Sequence, residues 1–290
     1  MKFGISIFLT PQGPQPADIA QAVEKLGFDS LFVSEHSHIP VETDFPLGGD
    51  VPMPYRSMYD PFVALAAAAA VTSKIKLGTA IIILPQHHPI DCAKAISTLD
   101  HISNGRVLFG IGAGWNPPEM ENHGVAFSDR FKATRERIAA MKSLWTEEVA
   151  QFDGDTVRFT SSWQWPKPVQ SPHPPLLIAG SGPNILKRVV ALGDGWLPVF
   201  AMKWDESLRN KQTPLHTLGD DMAELKRLAE AAQKPMPTIS SLGLPATPEY
   251  MDLLAGHGVE RMILTLPPDN PDAAFDQLHI YAEQVATYQS

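Results

Sequence analysis

The sequence predicts an α/β protein, a (β/α)8 TIM barrel with insertions, built as a single domain over residues 1–290. Three observations carry this expectation. Short β-rich runs alternate with helical segments eight times, the pattern of parallel strands joined by crossover helices. The chain has 290 residues, 44% hydrophobic and 19% charged, which suits a globular protein with enough chain for one barrel and extra segments. Two stretches, 37–58 and 150–174, break the alternation and are therefore insertions. A doubly wound open sheet shares the alternation, and periodicity alone does not separate the two folds. Both place ligands beyond the C-terminal ends of the strands.

The elements follow in order. Phe3–Phe8 is the first strand, and Pro16–Leu26 a helix with apolar residues at helical spacing and Gly27 as its stop. Ser30–Ser34 is the second strand. Residues 37–58, with their prolines and the pair Gly48-Gly49, are too irregular for an element, and so long a loop in a compact α/β unit is usually functional. Asp60-Pro61 opens the next helix as a cap followed by Pro, and Ala66–Ala70 lets that helix lie close to a neighbour. Ile75–Leu84 is the third strand, Ile90–His101 a helix, Arg106–Ile111 the fourth strand, and about Asp129 to Trp145 a long helix. Within 150–174, Asp153-Gly154 centres a hairpin and PKPVQSPHPP forms a rigid polar connector. The rest reads as strands Leu176–Ala179, Gly195–Val199, Thr238–Leu242 and Arg261–Leu266. Helices Pro183–Leu192, Asp220–Ala232, Pro248–Ala255 and Asp272–Tyr288 follow them in turn.

Composition narrows the partners. Lys and Arg total 23 against 32 Asp and Glu, a formal charge of −9, with no basic cluster; this argues against nucleic acid or an anionic membrane. The one cysteine, Cys92, can form no internal disulfide and is expected as a small core residue in a reducing compartment. The N-terminal apolar run meets Thr10-Pro11 too soon for a signal segment, and Phe62–Val71 falls far short of the ~20 residues of a membrane span. A cytoplasmic protein is expected.

The strand ends hold the candidate chemistry. Gly180-Ser181-Gly182-Pro183-Asn184 exposes successive backbone N–H groups before a helix start, which favours an anion, and a plain strand-to-helix turn fits the spacing equally well. Glu35 and His36 can supply acid–base chemistry, or His36 can simply hydrogen-bond across the barrel mouth. His38, His87 and His88 raise a metal site, but lack the carboxylate or Cys partners that would complete one, and no metal is expected. Gly110-Ile111-Gly112-Ala113-Gly114-Trp115 is not a dinucleotide fingerprint: its third glycine comes one position early, and it follows the fourth strand rather than the first. It fits a strand end kept clear of side chains so that a flat ring can lie on it.

The segments LGFDSLFVSEH, DPFVALAAAAAVTSKIKLGTAIIILPQHHP, KAISTLDHISNGRVLFGIGAGW, PKPVQSPHPPLLIAGSG and ALGDGWLP, in this order, resemble the bacterial luciferase-like superfamily of flavin- or coenzyme F420-dependent oxidoreductases. The likeness is closest to the F420 branch, and beyond about residue 200 it rests on the barrel rhythm. The resemblance implies a homodimeric barrel with its cofactor across the C-terminal mouth, passing hydride between F420 and a small organic substrate. An FMN-dependent monooxygenase, using FMNH2 and oxygen, is the alternative; a barrel that binds cofactor or ligand without turnover is a third. In the first two a separate flavin or F420 reductase can supply reduced cofactor.

By position, the resemblance places His36 near the reactive face with Glu35 supporting it. It places Thr79-Ala80-Ile81 behind the ring as a bulge with a cis peptide at Ala80–Ile81, Gly112-Ala113-Gly114 against the cofactor, and Gly180-Ser181-Gly182 at the phosphate. Arg106 is expected in a structural ion pair. Two departures matter. Trp115 stands where F420-dependent sugar-phosphate dehydrogenases carry a glutamate, which argues against their substrate. Ala113 stands where bacterial luciferase has an arginine for the FMN phosphate, which tilts the expectation toward F420. Trp115, Phe8, Phe45 and Tyr55 are the expected walls of an apolar substrate pocket, with loop 37–58 covering it.

Overall fold

The computed structural model describes residues 1–201 and 212–290. Eight parallel strands form the barrel: β1 Lys2–Ile7, β2 Ser30–Val33, β3 Lys76–Thr79, β4 Val107–Gly112, β5 Leu176–Ala179, β6 Gly195–Leu197, β7 Thr238–Ser241 and β8 Arg261–Thr265. They pair in the order β3-β2-β1-β8-β7-β6-β5-β4, and Leu77 and Gly78 of β3 pair with Val107 and Leu108 of β4 to close the ring. That closure decides for the barrel over the open sheet. Around it run α1 Pro16–Lys25, α2 Met53–Arg56, α3 Pro61–Val71, α4 Pro89–Ile102, α5 Pro117–Asn122 and α6 Arg130–Thr146. The remaining helices are α7 Ile185–Leu192, α8 Leu218–Ala231, α9 Pro248–Gly256 and α10 Pro271–Gln289.

Two apolar layers hold this together. The larger lies between strands and helices and includes Cys92, buried as expected. The smaller fills the barrel interior with Phe32, Leu108, Leu177, Leu197 and Ile263, side chains from β2, β4, β5, β6 and β8 that form a packed plug. Ala80, Ile81, Ala179 and Leu242 pack on that plug and make the floor of the barrel mouth.

Several elements differ from expectation for identifiable reasons. The third strand does not run unbroken from Ile75 to Leu84: it stops at Thr79, the Ala80–Ile81 peptide is cis, and Ile82–Ile83 then pairs separately with Ile111 and Gly112 before a 3₁₀ turn at Leu84–Gln86. Helix α7 starts at Ile185 rather than Pro183, so Pro183 belongs to the turn. Loop 37–58 is not wholly irregular, since Met53–Arg56 forms one helical turn. Arg106 makes no ion pair among the described residues. Its guanidinium instead donates to the carbonyls of Ser103, Ile75, Ala69 and Thr72 and to the Thr72 hydroxyl, because the α3–β3 connection turns its carbonyls inward there. Burial pulls the Arg106 pKa down, opposed by the Glu24 charge. The ion pair that ties β8 to the residue preceding β2 is Arg261–Asp29, at 2.6 Å.

Asp60 caps α3 by accepting from the Val63 amide at 2.9 Å, as its place before Pro61 suggests. The 150–174 insertion folds as an antiparallel hairpin of Ala150–Asp153 and Arg158–Ser162. No helix among the described residues is long and apolar enough to cross a membrane.

Candidate active site

A cavity of about 810 Å³ opens at the C-terminal ends of the strands. That is the size range of small-molecule and cofactor sites. Its walls bring together Phe8, Glu35, His36, Phe45, Tyr55, Ala80, Ile81, Gly112, Ala113, Gly114, Trp115, Gly180, Ser181 and Gly182. Thr79 is the one expected site residue outside it. Its side chain is buried below, where the hydroxyl donates to the Gly110 carbonyl at 2.7 Å and fastens β3 to β4.

The glycines of the fourth strand serve packing as well as access. A Cβ on Gly110 would fall 1.9 Å from the Thr79 carbonyl oxygen, so this glycine is required by the neighbouring backbone and not by a ring lying above it. A Cβ on Gly112 would meet the tip of Ile81 at 2.5 Å. Gly114 has φ +78°, in the left-handed region glycine adopts without a penalty. Gly112, Ala113 and Gly114 do reach the cavity wall; Gly110 does not.

His36 is the centre of the polar chemistry. Its Nδ1 lies 2.8 Å and 3.0 Å from the two carboxylate oxygens of Glu119, and its Nε2 lies 3.3 Å from the Trp115 indole nitrogen. A carboxylate only accepts and an indole N–H only donates. Neutral His36 therefore carries its proton on Nδ1 and presents a lone pair at Nε2. Glu119 is fully buried at the start of α5, and the Asn116 amide donates to it at 3.4 Å and to Thr43 Oγ1 at 3.2 Å, which links loop 37–58 to the dyad. Sequence reading left Glu119 unassigned; the signal available was an acidic residue on a short Pro-opened helix just past a strand end.

Glu35 does not support His36. Its carboxylate accepts from the Ile83 amide at 2.7 Å and pairs with His87 Nε2 at 2.7 Å, so it braces the chain just beyond Ala80–Ile81. Both residues border the cavity beyond the end of β2, but Glu35 turns to His87 and the Ile83 amide while His36 turns to Glu119.

Aromatic rings close the other side of His36. Tyr55 stands 5.6 Å and Trp115 5.5 Å from the imidazole, centroid to centroid, and Phe45 contacts both at 5.2 and 6.1 Å. Phe8 meets Tyr55 edge-on at 5.1 Å. Burial raises the Tyr55 pKa, which keeps it a neutral phenol.

The far end of the cavity suits an anion. Gly180 and Gly182 have φ of +129° and +89°, backbone that only glycine adopts readily. Arg130 and Arg188, which sequence reading missed, also line the cavity. The remaining histidines are otherwise engaged: Ser37 Oγ bridges His38 Nδ1 and His123 Nε2 at 3.0 and 2.8 Å, and His88 lies on the exposed rim. No group of three or more His, Cys, Asp or Glu among the described residues is placed to hold a metal ion.

Comparison with known proteins gives the family and the fold. The luciferase-like monooxygenase family profile matches residues 1–211. An uncharacterised protein of Mycobacterium tuberculosis is 37% identical over 99% of this chain and 98% of its own. An F420-dependent glucose-6-phosphate dehydrogenase of Intrasporangium calvum is 30% identical over 64% of this chain and 54% of its own. The crystal structure of monooxygenase RslO1 from Streptomyces bottropensis superposes with a TM-score of 0.81 at 21% identity, covering all of both chains.

Proposed function

Since the chain belongs to the luciferase-like monooxygenase family, we propose that it is an F420-dependent oxidoreductase, passing hydride between the deazaflavin and a small organic substrate. The observation that carries this reading is one cavity with a wall of only glycine and alanine at Gly112–Gly114, an anion-ready end at Gly180–Gly182, and His36 Nε2 beside an aromatic pocket. The residues fit a flavin-like group: Gly112, Ala113 and Gly114 present nothing larger than a methyl to the cavity, and the Gly180–Gly182 turn lines it too, where backbone N–H groups can meet an anion. The F420-dependent relative supports that branch.

When bound, the deazaflavin supplies the hydride donor or acceptor, chemistry no side chain provides. The protein's own part is proton transfer and exclusion of water. A substrate hydroxyl reaching His36 Nε2 takes the place of the Trp115 N–H and gives up its proton there. Glu119 then holds the other imidazolium proton on Nδ1 and balances its charge. In the opposite direction the imidazolium returns the proton to a carbonyl oxygen. Phe45, Tyr55 and Trp115 keep water from the exchange.

The protein acts as a cytoplasmic homodimer on this reading, with a separate reductase renewing the cofactor. Helix α3, PFVALAAAAAV, has no polar side, yet Val63 is 70% exposed on its outer face, which suits a covered subunit contact. The test is a panel of small alcohols and ketones with F420, followed by its absorbance. His36→Ala should lower the rate about 10²- to 10⁴-fold, and unchanged turnover would remove His36 from the reaction. FMN-dependent monooxygenation is the second reading, favoured by the match to the luciferase-like monooxygenase family over residues 1–211.

A further inference from the structure

Two cations that line the cavity share one aromatic shelf. The Arg130 guanidinium carbon lies 3.8 Å from the Phe127 ring centroid and 4.3 Å from that of Phe131, and Arg188 lies 3.6 Å from the Phe131 centroid. Apart from a bond from Arg130 Nη1 to the Phe127 carbonyl, at 2.8 Å, neither guanidinium has a hydrogen bond within the described residues. No carboxylate pairs with either there. Burial lowers both guanidinium pKa values, and for Arg188 the Arg130 charge lowers it further. Two like charges held together beside a cavity are relieved by an incoming anion.

The charge count says which anion. The Gly180–Gly182 turn offers neutral backbone N–H groups, enough for a phosphodiester, which carries one negative charge. The two guanidiniums therefore remain to be matched. In F420 the phosphodiester is followed by an acidic tail of carboxylates, whereas FMN ends at a phosphate monoester. Stacking against a ring leaves the N–H edges of an arginine free for two parallel bonds to a carboxylate. We propose that Arg130 and Arg188 form a second oxyanion subsite, apart from the Gly180–Gly182 turn, that binds a carboxylate of the cofactor's acidic tail. The proposal rests on the F420 reading above.

The experiment measures dissociation constants by deazaflavin fluorescence for three compounds: the deazaflavin without phosphate, its 5′-phosphate, and F420 with its glutamyl tail. They are titrated into wild type, Arg130→Met, Arg188→Met, the double variant and Arg188→Lys. Methionine keeps an unbranched apolar chain against the rings, and retained binding of the 5′-phosphate shows that a variant is folded. Wild type should hold F420 about tenfold or more tighter than the 5′-phosphate. The double variant should abolish that preference while leaving 5′-phosphate binding within about threefold, and Arg188→Lys should retain part of it. Equal loss for both compounds would assign the arginines to the phosphate and overturn the proposal; so would a preference that survives the double variant. If no deazaflavin binds wild type, the cofactor reading has failed. The subsite then stands or falls on citrate at constant ionic strength: a rise in melting temperature in wild type that the double variant lacks supports it, and no rise overturns it.

Discussion

Replacing Gly110 with alanine should damage the barrel far more than the same change two residues on. The new Cβ would lie 1.9 Å from the Thr79 carbonyl oxygen and 3.1 Å from Leu197 Cδ2, and the nearer of these is backbone. Ordinary contact requires the two strands to part by roughly 1.5 Å at their closure. That movement also breaks the buried Thr79 hydroxyl bond to the Gly110 carbonyl, now 2.7 Å. Overpacking costs about 1–3 kcal/mol and the lost bond about 1 kcal/mol, so the total is about 2–4 kcal/mol. Alanine recovers about 0.5 kcal/mol by restricting the unfolded chain. The melting temperature should fall by about 3–6 °C. At Gly112 the first clash, at 2.5 Å, is with the tip of Ile81, which can rotate away, so Gly112→Ala should cost less than about 1.5 kcal/mol. Neither glycine has a left-handed φ, so the pair isolates packing from backbone strain. Thermal melts followed by near-ultraviolet circular dichroism provide the comparison. A Gly110→Ala protein melting within about 1 °C of wild type, or Gly112→Ala proving the costlier, would refute the packing argument.

Other consequences are open to direct measurement. Long-range ¹⁵N spectra of neutral His36 should show the Nδ1–H tautomer, and an Nε2–H tautomer would contradict both of its contacts. Glu119→Gln keeps an acceptor for that proton but removes the balancing charge, so turnover should drop about 100-fold with little change in fold. Burial raises the Glu24 pKa, but the amides of Lys74, Ile75 and Ser73 outweigh it and hold the carboxyl below its usual range. A depressed folded pKa stabilises above the unfolded value of about 4.3 and ceases to do so as pH falls through the folded one. Urea melts should therefore show Glu24→Gln less stable than wild type at pH 7, with the gap closing on acidification; a gap constant down to pH 3 would contradict this. Val63→Asp should turn a dimer into a monomer by sedimentation, and a monomeric wild type would discard the α3 contact.

The barrel was legible because its signals are local and repeated. Alternating β and helical runs, Asp60-Pro61 as a cap and the Asp153-Gly154 turn all act within a few residues. What escaped was set by side chains meeting across the fold. Glu35 and His36 are neighbours in sequence, yet beyond the end of β2 one turns to His87 and the other to Glu119, 83 residues on. Gly110 looked like access for a ligand until the Thr79 carbonyl was seen beside it. Arg106 looked like half of an ion pair, because nothing local shows that five acceptor contacts from the α3–β3 turn and its own helix end converge on it. Arg130 and Arg188 lie 58 positions apart in a sequence with 23 basic residues, and only the shared Phe131 ring marks them as a pair.

The central claim is that this cavity takes a deazaflavin. Titrating the purified protein with F420 and, in parallel, with FMN tests it with no need to know the substrate. Saturable F420 binding is expected, with FMN binding at least about tenfold weaker. Tight FMN binding with none for F420 would contradict it and move the protein to the flavin-dependent monooxygenases.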